Sequence, residues 1–229
     1  ADARAIAQAA RVLQGGGLVA VPTETVYGLA ARADNADAVA RIFSAKGRPD
    51  FNPLIVHVAR LDQARMLARF DARAEMLAAK YWPGPLTLVL PLREDANVAP
   101  AVTAGLATIA IRMPAHPVMR ALLEAADTPL AAPSANRSGA ISPTTAAHVA
   151  QSLGEAAPFI LDGGACARGV ESTIVALRAE GGWEVLRPGP VSADELQALL
   201  GAARTTAAGA IEAPGQLASH YAPGKPVRL

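Results

Sequence analysis

One cysteine, Cys166, stands in a chain of 229 residues. A disulfide within the chain is excluded, which fits a reducing compartment, and the Cys-x-x-Cys pairs of a zinc site are absent. Aromatic residues are 4% of the chain, which leaves few platforms on which nucleic-acid bases would stack. The formal net charge is +1, so no global field draws the chain to nucleic acid or to a membrane. No apolar run reaches the ~18–20 residues that a membrane helix needs. The N-terminus has no basic stretch followed by an apolar one, so no signal peptide is expected. A cytoplasmic location follows by elimination.

Familiar site patterns are missing as well. Gly224-Lys225 is followed by Pro226 and has no upstream glycine, so there is no phosphate-binding P-loop. Gly15-Gly16-Gly17 precedes a strand pattern instead of opening a helix, which excludes a dinucleotide fingerprint. No Gly-x-Ser-x-Gly occurs. His57, His116, His148 and His220 are not spaced as metal ligands, and no metal site is expected. Nothing signals a Ser/His/Asp nucleophile set.

What is present is a globular composition, with 52% hydrophobic and 18% charged residues, too apolar for disorder. The length suits one domain with a short appendage. Ile6, Ala9, Ala10 and Leu13 recur at helical spacing, with Asp2 placed to cap and the three glycines to terminate. Leu18 to Val21 reads as a buried strand, stopped by Pro22 and followed by a polar loop. Strands are expected at 54–58, 86–92, 107–112, 129–132, 158–161, 172–177 and 183–187. Helices are expected at 37–45, 61–68, 72–80, 117–125, 144–152 and 193–200, the last with the capping-box pair Ser192 and Glu195. Alternating strands and helices imply an α/β fold. Several strand-to-strand steps lack a helix, so the sheet should be mixed. Residues 201–219 are rich in Ala, Gly, Thr and Pro without periodicity and read as a linker. The text after it is not of low complexity, which suggests a further domain. The expected division is a domain over 1–200 and a linker over 201–229.

Polar loops cluster at the strand ends: Thr23-Glu24-Thr25, Lys46-Gly47-Arg48 with Asn52 and His57, Ser134-Ala135-Asn136, Ser142-Pro143-Thr144, Glu171-Ser172-Thr173 and Arg187-Pro188-Gly189. Thr108 and Arg112, four apart on one strand, share a face. Each has a plain reading by itself. Lys46 and Arg48 suit a helix C-terminus. Ser142-Pro143-Thr144 suits a helix cap. His57 suits a satisfied core histidine, and Arg187 a solvated strand end. Between Arg41 and Lys80, eight Lys/Arg face four Asp/Glu, a solvated helix face or a weak anion-facing surface.

Taken together, VPTETVYGLA (21–30), KGRPDFNPLIVHV (46–58), YWPGPLTLVL (81–90), TIAIRMPAHP (108–117), APSANRSGAISPT (132–144), GVESTIV (169–175), LRPGP (186–190) and HYAP (220–223) resemble the YrdC-like domain of threonylcarbamoyl-AMP synthases. They run in that family's order over nearly the whole chain. The resemblance implies a twisted mixed sheet with helices packed against it. It also implies the longer family form, in which a linker leads to a smaller C-terminal domain. The implied reaction converts L-threonine, bicarbonate or CO2, and ATP into L-threonylcarbamoyl-AMP and pyrophosphate. A downstream transferase complex then moves the threonylcarbamoyl group to tRNA. The implied threonine site comprises Thr25, His57, Arg112, Ala132 and Ser172. The implied ATP site comprises Lys46, Arg48, Asn52, Thr108, Ser134, Ser142, Arg187 and Tyr221, with Mg²⁺ arriving on ATP. Tyr221 would let the linker close as a lid.

The residue types suit that chemistry. A carbamate oxygen must attack the α-phosphorus, so no protein nucleophile is needed. The protein must place two anions together and neutralise growing charge. Lys46, Arg48 and Arg187 are expected as phosphate clamps, and Arg112 as a bidentate grip on the threonine carboxylate. His57 is placed to hydrogen-bond substrate or to take a proton, with Glu24 an alternative base. Two other readings are an RNA-binding module, which would use the same basic concave surface, and a carbamoyl transferase of the hydrogenase-maturation type. The second would require Cys-x-x-Cys pairs that this sequence lacks.

Overall fold

The structure, a computed structural model, describes residues 1–178, 181–203 and 212–216. Its strands are β1 (Val19–Pro22), β2 (Tyr27–Arg32), β3 (Ile55–His57), β4 (Leu86–Pro91), β5 (Thr108–Arg112), β6 (Leu130–Ala131), β7 (Phe159–Ile160), β8 (Thr173–Leu177) and β9 (Trp183–Arg187). Its helices are α1 (Ala3–Gln14), α2 (Ala36–Lys46), α3 (Leu61–Leu67), α4 (Ala72–Tyr81), α5 (Pro100–Thr103), α6 (Pro117–Ala126), α7 (Ala146–Leu153) and α8 (Ala193–Leu200). The strands form one sheet in the order β7-β1-β2-β6-β3-β5-β4-β8-β9. Pairs β1/β7, β3/β5 and β4/β8 are parallel, whereas β1/β2, β2/β6, β3/β6, β4/β5 and β8/β9 are antiparallel. The sheet is mixed, as the helix-free strand steps imply.

Alternation along the strands divides the core. Val19 and Val21 of β1 and Leu130 of β6 pack with Leu13 of α1 and with Met119, Leu122 and Leu123 of α6. Ala20, Leu29 and Ala31 face the other way, into a larger cluster with Ile42, Leu77, Leu88, Ile111 and Trp183. Ile55, Val89, Ala110, Ile174 and Ala176 form a third cluster on the opposite face of β3, β5, β4 and β8, joined there by Ala213. On this third face β3 and β5 end in His57 and Arg112, which are register partners. The site therefore lies where one sheet face passes from apolar to polar along the same strands.

Local signals set the element ends. Asp2 caps α1 by accepting from Ala5 N, and Ser192 and Glu195 complete the capping box of α8. Gly47 ends α2 in the left-handed region at φ 57°, accessible to glycine at little cost. Three elements depart from the sequence reading. Tyr27–Arg32 is a strand where the sequence reading placed no element. It is buried along most of its length on both faces, so no alternation marks it. A short helix, Pro100–Thr103, interrupts the step from β4 to β5. The helix expected from 144 starts at Ala146 and is capped by Thr145, whose side chain accepts from His148 N, so the cap is not Ser142-Pro143-Thr144.

Gly189, just after β9, closes against the entry to β8. A Cβ there would lie 2.4 Å from Thr173 N and 2.6 Å from Glu171 O. Those are backbone atoms and cannot turn aside as a side chain can. Gly189→Ala is expected to lower stability by about 1–3 kcal/mol, the usual range for forced overpacking, measured by urea unfolding.

Candidate active site

The first loop is built by its own hydroxyls. Thr23 Oγ1 donates to Val26 O at 2.7 Å and accepts from Thr25 N and Val26 N. This Ser/Thr-type turn holds Glu24 and Thr25 against β5. Arg112 then donates Nη2 to Glu24 Oε1 at 2.6 Å, Nη1 to Thr25 Oγ1 at 3.0 Å and Nε to Gly84 O at 3.1 Å. The other oxygen of Glu24 accepts Ala115 N at 3.0 Å and His116 N at 3.3 Å. Burial alone would raise the Glu24 carboxyl. The Arg112 charge and hydrogen bond, with the backbone donors, outweigh it and hold the group below the usual carboxylate range. Both oxygens are engaged, so Glu24 serves as partner of Arg112 and not as a free base.

A second cluster repeats the pattern. Arg187, buried at the end of β9, donates Nε to Ser172 O and Nη2 to Ser172 Oγ, both at 3.0 Å, and Nη1 pairs with Glu171. Glu171 also accepts from Ser142 Oγ at 2.6 Å, and Ser172 Oγ meets Thr87 Oγ1 at 2.7 Å. In both clusters a Glu followed by a hydroxyl residue clasps one buried guanidinium.

Arg48 is held by carbonyls, with Nε on Asn52 O at 3.3 Å and Nη2 on Pro53 O at 2.9 Å. Burial lowers it to about 10, which leaves it cationic at neutral pH. The loop carrying Ser134 docks on β2 through Leu29 N to Pro133 O and Ala135 N to Tyr27 O.

Thr25, His57, Arg112, Ala132 and Ser172 line one cleft together with Arg48, Ser134 and Arg187. The cleft has a cavity volume of about 30 Å³, well below the ~300–1,000 Å³ typical of small-molecule sites, so its walls must part to admit a ligand. Ser142 lines an adjoining hollow with Glu171 and Arg187. Three expected residues stand apart from the lining. Lys46 is 3% exposed, and its ammonium is turned to Ser134 O and Asn136 O instead of facing the cleft as a clamp would. Burial, with the charge of Arg48, lowers it to about 7. Asn52 is buried beneath Arg48, and its side-chain oxygen has no hydrogen-bond partner among the described residues. Thr108 opens β5, about 13 Å along the strand from Arg112 at the usual rise. Tyr221 lies outside the described residues. Glu171, which lines both the cleft and the hollow, was missed as a site residue. Its signal was its place inside GVESTIV, next to Ser172.

His57 is not a satisfied core histidine. It is buried, and its Nδ1 has no partner among the described residues. Burial, reinforced by the Arg112 charge, lowers it to about 3. It is therefore neutral at pH 7, suited to exchanging a hydrogen bond with a ligand hydroxyl and too weakly basic to store a proton. The site defines an α/β domain with a cleft lined by two acid-paired, buried arginines and a third held by carbonyls, an arrangement suited to small anions.

Known proteins give this class its family. The family model Sua5_yciO_yrdC, described as telomere recombination, matches residues 11–189. A Bacillus subtilis threonylcarbamoyl-AMP synthase is 46% identical over 98% of this chain and 66% of its own length. A Pyrococcus abyssi threonylcarbamoyl-AMP synthase is 48% identical over 96% of this chain and 66% of its own length. A crystal structure of P. abyssi Sua5 complexed with L-threonine superposes with a TM-score of 0.89 at 46% identity, covering 95% of this chain and 65% of that one. The chain belongs to the Sua5/YciO/YrdC family. It spans just under two thirds of the length of these relatives.

The neutrality of His57 has a measurable consequence. An unfolded histidine titrates near 6.5, so between about 3 and 6.5 the unfolded chain binds a proton that the folded chain does not. Stability from this group is complete above about 6.5 and is lost as pH falls toward 3. The loss at pH 5 is roughly 2 kcal/mol. Between pH 7 and pH 5 the urea midpoint of the wild-type chain should fall more than that of His57→Gln.

Proposed function

We propose that this chain is the catalytic part of an L-threonylcarbamoyl-AMP synthase, acting on L-threonine, bicarbonate or CO2, and ATP, and releasing pyrophosphate. The observation that carries the reading is the arrangement of Arg112. Among the described residues, three of its five N–H groups are committed, to Gly84, Thr25 and Glu24. One N–H on each terminal nitrogen is left, beside neutral His57. That is a fork for a carboxylate next to a group that can pair with a hydroxyl, the two polar features of threonine. The relatives named above carry the same activity in their names, and one was solved with L-threonine.

In this reading the neutral amine of threonine bonds to the carbon of CO2 and gives up one proton to water, forming a carbamate. A carbamate oxygen then attacks the α-phosphorus, the bond to the β-phosphate bridging oxygen breaks, and pyrophosphate leaves with that electron pair. The protein contributes position and charge. Arg112 fixes the carboxylate, with Thr25, His57, Ala132 and Ser172 around the rest of threonine. Arg48 and Arg187 face the phosphates, with Ser134 and Ser142. Lys46, Asn52, Thr108 and Tyr221 complete the nucleotide site by resemblance, Lys46 acting through the Ser134 loop that it holds. Among the described residues no group of three or more His, Cys, Asp or Glu side chains is placed to hold a metal. Mg²⁺ would come bound to ATP, held by phosphate oxygens and water. Residues 201–229 would join the domain over 1–200 to a further domain, with Tyr221 closing over the nucleotide. The product would pass to a threonylcarbamoyl transferase complex acting on tRNA. A cytoplasmic setting suits this chemistry, and no helix among the described residues is long and apolar enough to cross a membrane. The RNA-binding reading is disfavoured, because Arg112 and Arg187 are buried and paired instead of forming an open basic strip.

The test is pyrophosphate release from ATP and bicarbonate, with and without L-threonine. Release should require threonine. Arg112→Lys, which keeps the charge and loses the fork, should lower kcat/KM for threonine at least ~30-fold, the low end for disrupting a buried hydrogen-bonded charge. Folded wild-type chain that binds neither ATP nor threonine would refute the reading.

A further inference from the structure

The reaction above gives Glu171 no task, yet this carboxylate lines a cleft whose ligands all carry negative charge. Its oxygens accept from Ser142 Oγ at 2.6 Å and from Arg187 Nη1. Those are two donors that the nucleotide needs. Arg187 is otherwise turned inward, with Nε and Nη2 on Ser172. Its Nη1 meets Glu171 and, at 3.5 Å, Pro214 O, both on residues that line the cleft.

The sister pair behaves differently. Glu24 is fixed by two backbone N–H groups as well as by Arg112, and it is not among the residues lining the cleft. It stands behind its arginine and compensates it without blocking the approach of a ligand. Glu171 instead shares the cleft wall with its arginine. A carboxylate and a phosphate place oxygens at similar distances from a guanidinium, so one can replace the other without moving the donors.

We propose that Glu171 is an exchangeable stand-in for a phosphate oxygen, holding Ser142 and Arg187 in the ligand-free chain and yielding both donors to the polyphosphate when nucleotide binds. The inference rests on the nucleotide reading. Until exchange occurs the guanidinium is neither exposed nor unpaired. A singly charged anion gains little by displacing a carboxylate of equal charge, so the exchange favours polyphosphates. Because Ser172 follows Glu171 directly and lies in the threonine half, the exchange takes place where the two substrates meet.

The test is calorimetric titration of inorganic pyrophosphate, ATP and L-threonine into the wild-type chain and Glu171→Gln. Glutamine keeps the size and an oxygen for Ser142 but loses the charge that competes with phosphate. Pyrophosphate and ATP should bind about tenfold more tightly to Glu171→Gln, the factor expected if the closed pair holds roughly nine-tenths of the ligand-free population. Threonine affinity should stay within about twofold, since that ligand does not compete for Arg187. Thermal unfolding verifies that the variant folds. If it does not fold, Glu171→Asp, which keeps the charge on a shorter arm, should give a tightening of the same sign and smaller size. Unchanged or weakened polyphosphate binding would overturn the inference while leaving the nucleotide reading intact. A wild-type chain that binds neither ATP nor pyrophosphate would overturn both.

Discussion

A guanidinium cannot lie in a low-dielectric cleft without a partner, and the site of this chain is organised around that constraint. Arg112 and Arg187 are each nearly closed off from solvent. Removing one member of a buried pair typically costs about 3–5 kcal/mol, because the other is left as an uncompensated charge. Each arginine accordingly has a glutamate, and each glutamate precedes a hydroxyl residue that takes a second N–H. The pairs make the cations tolerable inside the fold while holding them at the wall of the cleft.

The sheet delivers this arrangement because strand order and chain order differ. β5 brings Arg112 beside β3 and His57, while β4 brings Thr87 next to β8, which begins just after Ser172. Apolar residues of the same strands, Ile55, Ala110 and Ile174, form the floor. Two apolar clusters on either side of the sheet carry the helices, so side chains at the strand ends rest on elements packed from both directions. The left-handed turn at Gly47 brings Arg48 away from α2, while Lys46, one residue before, is drawn into the Ser134 loop. Two cations separated by one glycine thus sit differently, Arg48 lining the cleft and Lys46 bracing its wall.

Much of this was legible in the sequence where a signal is local. The caps at Asp2 and Ser192, the stop at the Gly15–Gly17 run, the mixed sheet and most helices follow from spacing and from capping chemistry. β2 was not legible: a strand buried on both faces has no alternation, and Thr23-Glu24-Thr25 before it reads as the start of a longer loop. Of the site, Thr25, Arg48, His57, Arg112, Ser134, Ser172 and Arg187 were named and do converge. The fate of Lys46 was not readable, because its partners are carbonyls about ninety positions away that no residue type announces. Glu171 was passed over for a related reason. A carboxylate in an anion site looks out of place until the arginine it shields is known.

The pairing of Glu24 with Arg112 spans 88 positions, and β1 pairs with β7 through Val19 and Phe159. A ribosome adding about 5–20 residues per second would release Glu24 about 4–18 s before Arg112, and β1 about 7–28 s before β7. Over those intervals the first hairpin has a free edge, and Glu24 has water as its only company. The cleft is thus among the last parts of this domain to take shape during synthesis, completed when β8 and β9 dock and Arg187 meets Glu171. A nascent chain cut short before that point would hold one half of a binding site and no means of closing it.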